Sequence, residues 1–354
     1  MQLLSIQYLR AIAVLLVVYC HAIDFQMKIG VSRQQNFYYL QNFGAIGVDM
    51  FFVISGFIIV FIAQNAAGSE SAIYFLKKRF VRIIPSYYFA SFIVLIIAIL
   101  TNQHVYWAVI KTITILPIFD RGTEFWSALL FVGWTLSFEC FFYIIYATLI
   151  YFSISRKTIF LIMIFGMLTL VGVLFRINEA HFNFYTNPLV WEFCFGVIIA
   201  LIYKTAKVKS SFAFLILTLG IVGFLINLFS GYGRVSEATD ILAGKYCWQR
   251  VFYWGVPSAL LAFGALFIEK SSANGIFKNG MLTLLGNGSF SIYLVHPIFF
   301  MILELSVKKQ NAWQQINPDL LVIILTIIAS LLGIAYYKTV ELFLIKKFNK
   351  IILK

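Results

Sequence analysis

The stretch YLRAIAVLLVVYCHA, residues 8–22, decides how this chain is interpreted. Its apolar run suits a membrane helix, yet it carries an arginine at its head and a histidine eleven residues on. Eleven residues make almost three helical turns, so Arg10 and His21 face the same way, about 16 Å apart along the axis. Asp24, three residues further, shares that face. The stretch therefore predicts a polar line along one face of a membrane helix.

The composition of the whole chain is that of a membrane protein. Of its 354 residues, 62% are hydrophobic and 12% are charged, and the mean hydropathy is +0.92. A bilayer core about 30 Å thick needs roughly 20 apolar residues per helix, and continuous runs of this kind favour helices over a β-barrel. We predict an all-α polytopic integral membrane protein, a bundle of about ten transmembrane helices. The predicted spans are residues 8–24, 45–63, 85–100, 128–152, 158–175, 188–203, 211–229, 251–268, 289–306 and 320–343.

Basic residues set the expected orientation, because lysine and arginine accumulate in cytoplasmic loops. With ten spans, one side collects Lys77, Lys78, Arg79, Arg82, Arg156, Lys157, Lys204, Lys207, Lys209, Lys346, Lys347, Lys350 and Lys354. Both termini are then cytoplasmic. The loops predicted to be external are 25–44, 101–127, 176–187 and 230–250. The net charge of +13 is spread over short loops, which favours membrane lipids with anionic headgroups as partners and argues against nucleic acid.

No linker or soluble terminal segment divides the chain, so we expect a single transmembrane domain over residues 1–354. The first apolar run lacks the basic start and small-residue cleavage site of a signal peptide and is expected to be retained. The four cysteines lack metal-ligand spacing, so we predict buried thiols and no metal site.

Two carboxylates enter the predicted bundle within apolar surroundings. Asp49 lies in GAIGVDMFFVISGFII, residues 44–59, whose glycines and Ser55 suit close helix packing. Glu139 lies in GWTLSFECFFYIIY, residues 133–146. An unpaired carboxylate is costly there, so each needs a partner or a proton. For Glu139, a structural ion pair with an arginine of another helix and a role in a site are both open.

A cluster of basic residues precedes the third predicted span, in FLKKRFVRIIPSYYF, residues 75–89. Arg79 and Arg82 are neighbours on one helical surface, and Lys78 lies beside Arg82 at i,i+4 spacing. A guanidinium presents a planar fork of donors that suits phosphate. The alternative is a membrane anchor of the positive-inside kind.

Two further polar positions are interpreted as structural. His296 precedes Pro297 in SFSIYLVHPIFF, residues 289–300, and a proline frees backbone carbonyls that a histidine can satisfy. Trp191 and Glu192 begin the sixth predicted span and are expected at the membrane interface.

Five segments together resemble a known family. They are YLRAIAVLLVVYCHA (8–22), GVDMFFVISGFII (47–59), KKRFVRIIPSYY (77–88), WTLSFECFFY (134–143) and SIYLVHP (291–297). In this order they resemble the membrane-bound acyltransferase family 3, over essentially the whole chain. The resemblance implies a stand-alone O-acetyltransferase without the C-terminal hydrolase-like domain of some members. It also implies transfer of an acyl group, usually acetyl, from cytoplasmic acyl-CoA to a hydroxyl of an extracytoplasmic or lipid-linked glycan such as O-antigen, capsule or exopolysaccharide. A bacterial inner membrane is implied as well.

The resemblance also implies which residues are functional. The arginine and histidine of the first helix are Arg10 and His21, the RxxR pair is Arg79 and Arg82, and the WTLSxE glutamate is Glu139. Many relatives have a second acidic residue after that glutamate, where this chain has Cys140.

The chemistry of acyl transfer then assigns roles to these residues. A sugar hydroxyl is a poor nucleophile, so a base must take its proton, and histidine, with an unperturbed pKa of about 6.5, is suited to this. We expect His21 as the base, oriented by Asp24 or Asp49. Arg79 and Arg82, aided by Lys77 and Lys78, are expected to bind the phosphates of acetyl-CoA, the co-substrate. Arg10 is expected either to join them or to pair with Glu139.

The external loops 101–127 and 230–250 are the expected acceptor-contacting regions. Their aromatic residues either stack on sugar or form an interfacial belt; they are Phe125, Trp126, Tyr232, Tyr246 and Trp248.

Two other functions remain open for such a sequence. Intramembrane charges also line the pathways of transporters and flippases for lipid-linked glycans, but the sequence shows no internal repeat or matched pair of broken helices. A non-enzymatic sensor on the same scaffold is the second alternative. The presence of the full set of expected site residues favours the enzyme.

Overall fold

The computed structural model describes residues 3–31, 43–101, 118–119, 125–126, 130–230, 238–271, 280–307 and 316–353. Within these ranges ten helices are long and apolar enough to cross a membrane. The predicted all-α polytopic fold is therefore confirmed. The strands that the described residues form are a two-residue antiparallel pair, β1 (Ile118–Phe119) and β2 (Phe125–Trp126).

The helices vary from short turns to long spans. In chain order they are α1 (Leu4–Lys28), α2 (Ile46–Ala63), α3 (Gly68–Leu100), α4 (Trp134–Tyr151), α5 (Lys157–Phe175), α6 (Ala180–Tyr185), α7 (Val190–Thr205), α8 (Ser210–Phe229), α9 (Ala238–Leu242), α10 (Cys247–Arg250), α11 (Val256–Ser271), α12 (Gly280–Asn287), α13 (Ser289–Ser306), α14 (Pro318–Tyr336) and α15 (Leu342–Ile352). A 3-10 turn, Phe131–Gly133, leads into α4. Two π-helical turns, Val251–Gly255 and Tyr337–Glu341, join α10 to α11 and α14 to α15.

An even number of spans brings both ends of the described chain to one side of the bundle. We call this side the terminal face and the other side the opposite face. At the terminal face, the carboxylate of Glu269 in α11 accepts hydrogen bonds from the backbone nitrogens of Leu4 (2.8 Å) and Ser5 (2.9 Å). The first backbone N–H groups of a helix have no partner within it, and its N-terminus attracts negative charge. Glu269 therefore fixes the start of α1.

Helix α1 lies at the centre of the bundle, in contact with α2, α11, α12, α13 and α14. The glycines of the second span allow a close approach of α2 to α1. A Cβ on Gly47 would lie 2.1 Å from the carbonyl oxygen of Ala13, and one on Gly44 would lie 2.4 Å from that of Leu16. The predicted packing role of these glycines is thus what the structure shows, and it sets the position of α2 against α1.

Two spans extend furthest beyond their predicted bounds. Helix α3 begins at Gly68, well before residue 85, and continues through Pro85, which is buried inside it. The basic residues expected to precede this span belong to the same helix. The last span likewise continues through its π-helical turn into α15. That turn places Glu341 fully inside the bundle.

Helices α5 and α8 lie at the periphery of the bundle, and 22% of an 18-residue apolar stretch in each of them is buried. Large apolar side chains such as Met167, Leu174 and Phe229 are exposed on them. A continuous apolar exterior is the surface that lipid requires.

Candidate active site

A cationic cavity lies between α1, α2, α3, α4 and α13, in the half of the bundle toward the terminal face. Its volume is about 130 Å³, and we call it the arginine cavity. Its polar lining residues are Arg10, Ser55, Arg79, Arg82, Thr135, Glu139, Tyr143, Ser289 and Tyr293. Three of the four residues predicted to bind acyl-CoA therefore line one cavity.

The three arginines differ in how they are held. Arg10 donates from Nε to the hydroxyl of Ser289 at 3.1 Å. Arg82 forms an ion pair, Nη1 to Oε1 at 2.6 Å, with the fully buried Glu341. That carboxylate also accepts a hydrogen bond from Ser291. Arg82 keeps 34% of its side chain exposed, so its ion pair fixes the guanidinium at the cavity without burying it.

Arg79 is the least satisfied of the three. Its guanidinium carbon lies 5.7 Å from the ring centres of Phe75 and Tyr143, and its buried Nε has no hydrogen-bond partner in the described structure. A buried donor without a partner is costly, so this group suits an anionic ligand.

Lys78 does not join the arginine cavity. It is exposed, and its Nζ lies 4.6 Å from the ring centre of Tyr74 on the surface of α3. The i,i+4 spacing placed it near Arg82 but did not determine where the ammonium group points.

Glu139 lines the arginine cavity. Its Oε1 accepts hydrogen bonds from the hydroxyls of Ser55, at 2.6 Å, and Tyr143. No ion pair joins it to Arg10 among the described contacts, so of the two expected arrangements Arg10 joins the other arginines. Ser55, considered for helix packing, has this carboxylate as its partner instead.

A second, larger cavity opens in the half toward the opposite face. Its volume is about 800 Å³, and we call it the histidine cleft. His21 and Asp24 lie on its wall, with Nδ1 of the imidazole 3.3 Å from Oδ2 of the carboxylate. An Nδ1–H donated to Asp24 leaves Nε2 of His21 as the basic nitrogen. Of the two carboxylates expected to orient His21, Asp24 is the one that contacts it.

His296 lies directly behind His21. The two imidazole rings stack with centres 5.2 Å apart, and His296 is fully buried. Its Nδ1 lies 3.0 Å from the carbonyl oxygen of Ile292, to which it must donate. This agrees with the predicted structural role. The buried Nε2 has no hydrogen-bond partner in the described structure, and the contact with His21 adds a role that sequence reasoning missed.

Asp49 does not contact His21, so the prediction that it orients the imidazole is wrong. Its two carboxylate oxygens accept from Nε and Nη2 of Arg250, each at 2.9 Å, and both side chains are buried. The guanidinium of Arg250 also lies 4.9 Å from the ring centre of Trp254. A bidentate pair satisfies both charges, as a buried ion pair requires. Arg250 lines the histidine cleft.

Glu192 was predicted to lie at the membrane interface, and this prediction is wrong. It is fully buried next to Gly255 of the π-helical turn, where a Cβ would lie 3.0 Å from its Oε1. Its neighbour Trp191 donates from the indole to the hydroxyl of Thr169 at 3.1 Å. Both residues at the head of α7 therefore face other helices.

Only some of the aromatic residues expected to contact an acceptor have side chains that the structure describes. Tyr232 lies outside the described residues, as do the side chains of Phe125 and Trp126. Tyr246 and Trp248 are exposed and do not line the histidine cleft. No group of three or more histidine, cysteine, aspartate or glutamate residues within the described ranges is arranged for a metal ion.

Sequence reasoning also missed Arg250 and Glu341. Arg250 stands at the junction of a predicted external loop and the eighth predicted span, where an arginine is usually interfacial. Glu341 lies in the last predicted span, and a carboxylate inside an apolar run was the available signal. Neither position reveals its partner without the fold.

Comparisons with known proteins identify the class of protein. A family model described as an acyltransferase domain matches residues 3–338. The chain therefore belongs to the acyltransferase-3 family, and it is a membrane O-acyltransferase.

Curated relatives give the same class. The chain is 28% identical to the exopolysaccharide production protein ExoZ of Rhizobium meliloti (strain 1021), over 84% of this chain and 88% of the relative. It is 22% identical to the acyltransferase MdmB of Streptomyces mycarofaciens, over 95% and 90%. It is 24% identical to the O-acetyltransferase OatA of Staphylococcus aureus (strain NCTC 8325 / PS 47), over 75% of this chain and 48% of OatA. No solved structure gave a significant match.

Proposed function

We propose that this protein transfers an acetyl group from cytoplasmic acetyl-CoA to a hydroxyl of an extracytoplasmic or lipid-linked glycan, in the inner membrane of a bacterium. The observation that carries this proposal is the placement of two chemically different cavities on the two sides of one bundle. The arginine cavity faces one way and the histidine cleft the other. Both cavities form within a single bundle, so the bundle acts as one acyltransferase domain.

The donor suits the arginine cavity. Coenzyme A carries several phosphate charges, and guanidinium groups bind phosphate through paired, charge-assisted hydrogen bonds. Arg79 offers a buried donor without a partner, while Arg10 and Arg82 are held in place by Ser289 and Glu341. The exposed Lys346, Lys347 and Lys350 on α15 favour a cytoplasmic terminal face. The phosphates would then enter from the cytoplasm.

The acceptor suits the histidine cleft. The cleft is large, and aromatic side chains such as Phe131 and Trp134 line it together with His21 and Asp24. Flat aromatic faces beside polar groups suit a sugar ring. The names of two relatives, an exopolysaccharide production protein and an O-acetyltransferase, support a glycan as the acceptor.

The reaction follows from this geometry. The acceptor hydroxyl gives its proton to Nε2 of His21 as its oxygen bonds to the thioester carbonyl carbon. The carbon–sulfur bond then breaks, and the sulfur leaves as the thiolate of coenzyme A. The imidazolium returns the proton to that thiolate, so the products are an O-acyl ester and a free thiol. Asp24 stabilises the imidazolium while it carries the proton.

Glu139 and Asp49 act around the reaction and not at the reacting atoms. Glu139 holds Tyr143 and Ser55 in the wall of the arginine cavity and offsets part of its positive charge. Asp49 holds Arg250 in the wall of the histidine cleft.

The test uses purified protein in proteoliposomes, with acetyl-CoA labelled in the acetyl group and an extract of lipid-linked glycans. We expect label on glycan with the wild type, none with His21→Ala, and bound coenzyme A with both. If folded His21→Ala protein transferred as much label as the wild type, His21 would be rejected as the base. Coenzyme A binding without transfer to any glycan would reject the acceptor class, and absence of binding would reject the donor.

A further inference from the structure

The arginine cavity and the histidine cleft have two lining residues in common, Val48 of α2 and Tyr293 of α13. All other described lining residues belong to one cavity or the other. Val48 and Tyr293 therefore form the partition between the two cavities, and each is more than nine-tenths buried. Any group that passes from the arginines to His21 has to pass this partition.

Tyr293 is fixed within the partition by hydrogen bonds. Its hydroxyl lies 3.0 Å from the hydroxyl of Thr135 and donates to the carbonyl oxygen of Val132 at 3.1 Å. Thr135 lines the arginine cavity, whereas Val132 lines the histidine cleft. The edge of Phe51 packs against the ring of Tyr293, with ring centres 6.1 Å apart. Residues of both cavities thus hold Tyr293 in place.

Val48 is fixed through the backbone of its helix. Its neighbour Gly47 lies against α1, with space for no Cβ beside the carbonyl oxygen of Ala13. Helix α2 is therefore packed backbone to backbone against α1 at this point. The contact positions the neighbouring valine relative to the helix that carries His21.

The partition is connected to the reacting histidine through His296. The ring of Tyr293 is centred 5.8 Å from the ring of His296, which stacks on His21 at 5.2 Å. Val48 and Tyr293 also line the cleft that contains His21, so a thioester carbonyl that reaches them is at the edge of that cleft. The acyl group it carries would lie in the partition itself.

We propose that Val48 and Tyr293 form an aperture that selects the acyl group by size and admits two-carbon acyl thioesters. This inference rests on the proposed function and specifies its donor. Both side chains are fixed, so a longer acyl chain would have to displace packed atoms. A pocket wall of this kind discriminates between substrates that differ by one methylene roughly tenfold or more. The valine sets the limit by its volume, whereas the tyrosine forms the opposite wall.

The experiment compares kcat/KM for acetyl-CoA, propionyl-CoA and butyryl-CoA in wild type, Val48→Ala and Val48→Thr. We expect the wild type to prefer acetyl, and Val48→Ala to shift the acetyl-to-butyryl ratio toward butyryl by about tenfold. Val48→Thr keeps the volume and should keep the ratio. Val222→Ala, an exposed valine on α8, is the matched control for the loss of two methyl groups.

The outcomes separate the aperture from the reaction. Acetyl transfer with an unchanged ratio in Val48→Ala would overturn the aperture and leave the proposed function standing. A changed ratio in Val48→Thr as large as in Val48→Ala would overturn size as the cause. If folded wild type transferred none of the three acyl groups, the proposed function and the aperture would both fail. If Val48→Ala did not fold, Val48→Leu would serve, since it should lower propionyl transfer more than acetyl transfer, and an equal loss would contradict the aperture.

Discussion

Arg79 differs from Arg10 and Arg82 because neither a serine nor a carboxylate holds its buried Nε. Its planar fork is the part that a lysine cannot reproduce. We expect Arg79→Lys to raise the KM for acetyl-CoA roughly tenfold, since a charge-assisted hydrogen bond contributes about 1.5–3 kcal/mol. Steady-state kinetics and coenzyme A titration measure this. Lys78→Ala, on the exposed surface beside it, is the control and should leave KM unchanged; equal effects of the two variants would contradict the assignment.

His296 supports His21 through its ring, because its nitrogens do not reach the cleft. His296→Phe keeps an aromatic ring behind His21, whereas His296→Asn keeps a donor for Ile292 but removes the ring. We expect the phenylalanine variant to retain most of the transfer rate and the asparagine variant to lose roughly tenfold, as a misplaced catalytic group does. The rate of label transfer, at matched thermal stability, distinguishes them. A reversed order would mean that a nitrogen of His296 takes part.

At the level of residues, sequence reasoning succeeded where helical spacing decides the outcome. Arg10 and His21 belong to different cavities on one helix, and Asp24 contacts His21 one turn away. It failed where the partner comes from a distant segment. Asp49 and Arg250 are about 200 positions apart in sequence, and no local pattern pairs them.

At the level of elements, the ion pair of Asp49 and Arg250 ties α2 to α10. Removing one partner leaves a buried charge unpaired, so we expect Asp49→Ala to destabilise the protein by roughly 3–5 kcal/mol. Thermal unfolding in detergent measures the loss. Asp240→Ala breaks the exposed pair with Lys245 and should cost less than about 1 kcal/mol.

A double variant tests the cause of that loss. Asp49→Leu combined with Arg250→Met removes both charges and leaves apolar side chains in their place, so it should recover much of the stability. A double variant as unstable as Asp49→Ala would show that packing between α2 and α10, and not the unpaired charge, was lost.

Sequence patterns located the elements better than their ends. Hydropathy marks the apolar centre of a span, so all ten spans were found. The ends of α3 and of the last span were misplaced because the basic residues of α3 and the lysines of α15 were expected to lie outside the spans. A helix held by its neighbours continues through such residues, and only the packing shows this.

At the level of the whole molecule, the ten spans place Gln249 and Lys350 at opposite faces of the bundle, and both are exposed. In a variant whose four cysteines are replaced by alanine, a cysteine at one position reports on one side of the membrane. We expect a membrane-impermeant maleimide added to intact cells to label Gln249→Cys and to spare Lys350→Cys until the cells are opened. Labelling in the reverse order would contradict the proposed orientation.

The two cavities are a property of the whole molecule that the sequence could not predict. Each is lined by side chains from several helices, and their order in the chain says nothing about their distance in space. The linear motifs identified many of the participants, whereas the partition between the cavities emerged only from the assembled bundle.

The carboxylate of Glu269 at the start of α1 has a consequence for the choice of donor. Arg10 and His21 are about 16 Å apart along the axis because both lie on this one helix, and Glu269 fixes the position of the helix in the bundle. In the proposed reaction, this separation sets the distance that a donor must span between its anionic group and its reactive carbon. Under the proposed function, acetyl phosphate is too short to span this distance, and a truncated acetyl thioester lacks the anionic group. We therefore expect a donor with its charge at one end and its thioester at the end of a long arm to be used in preference to either.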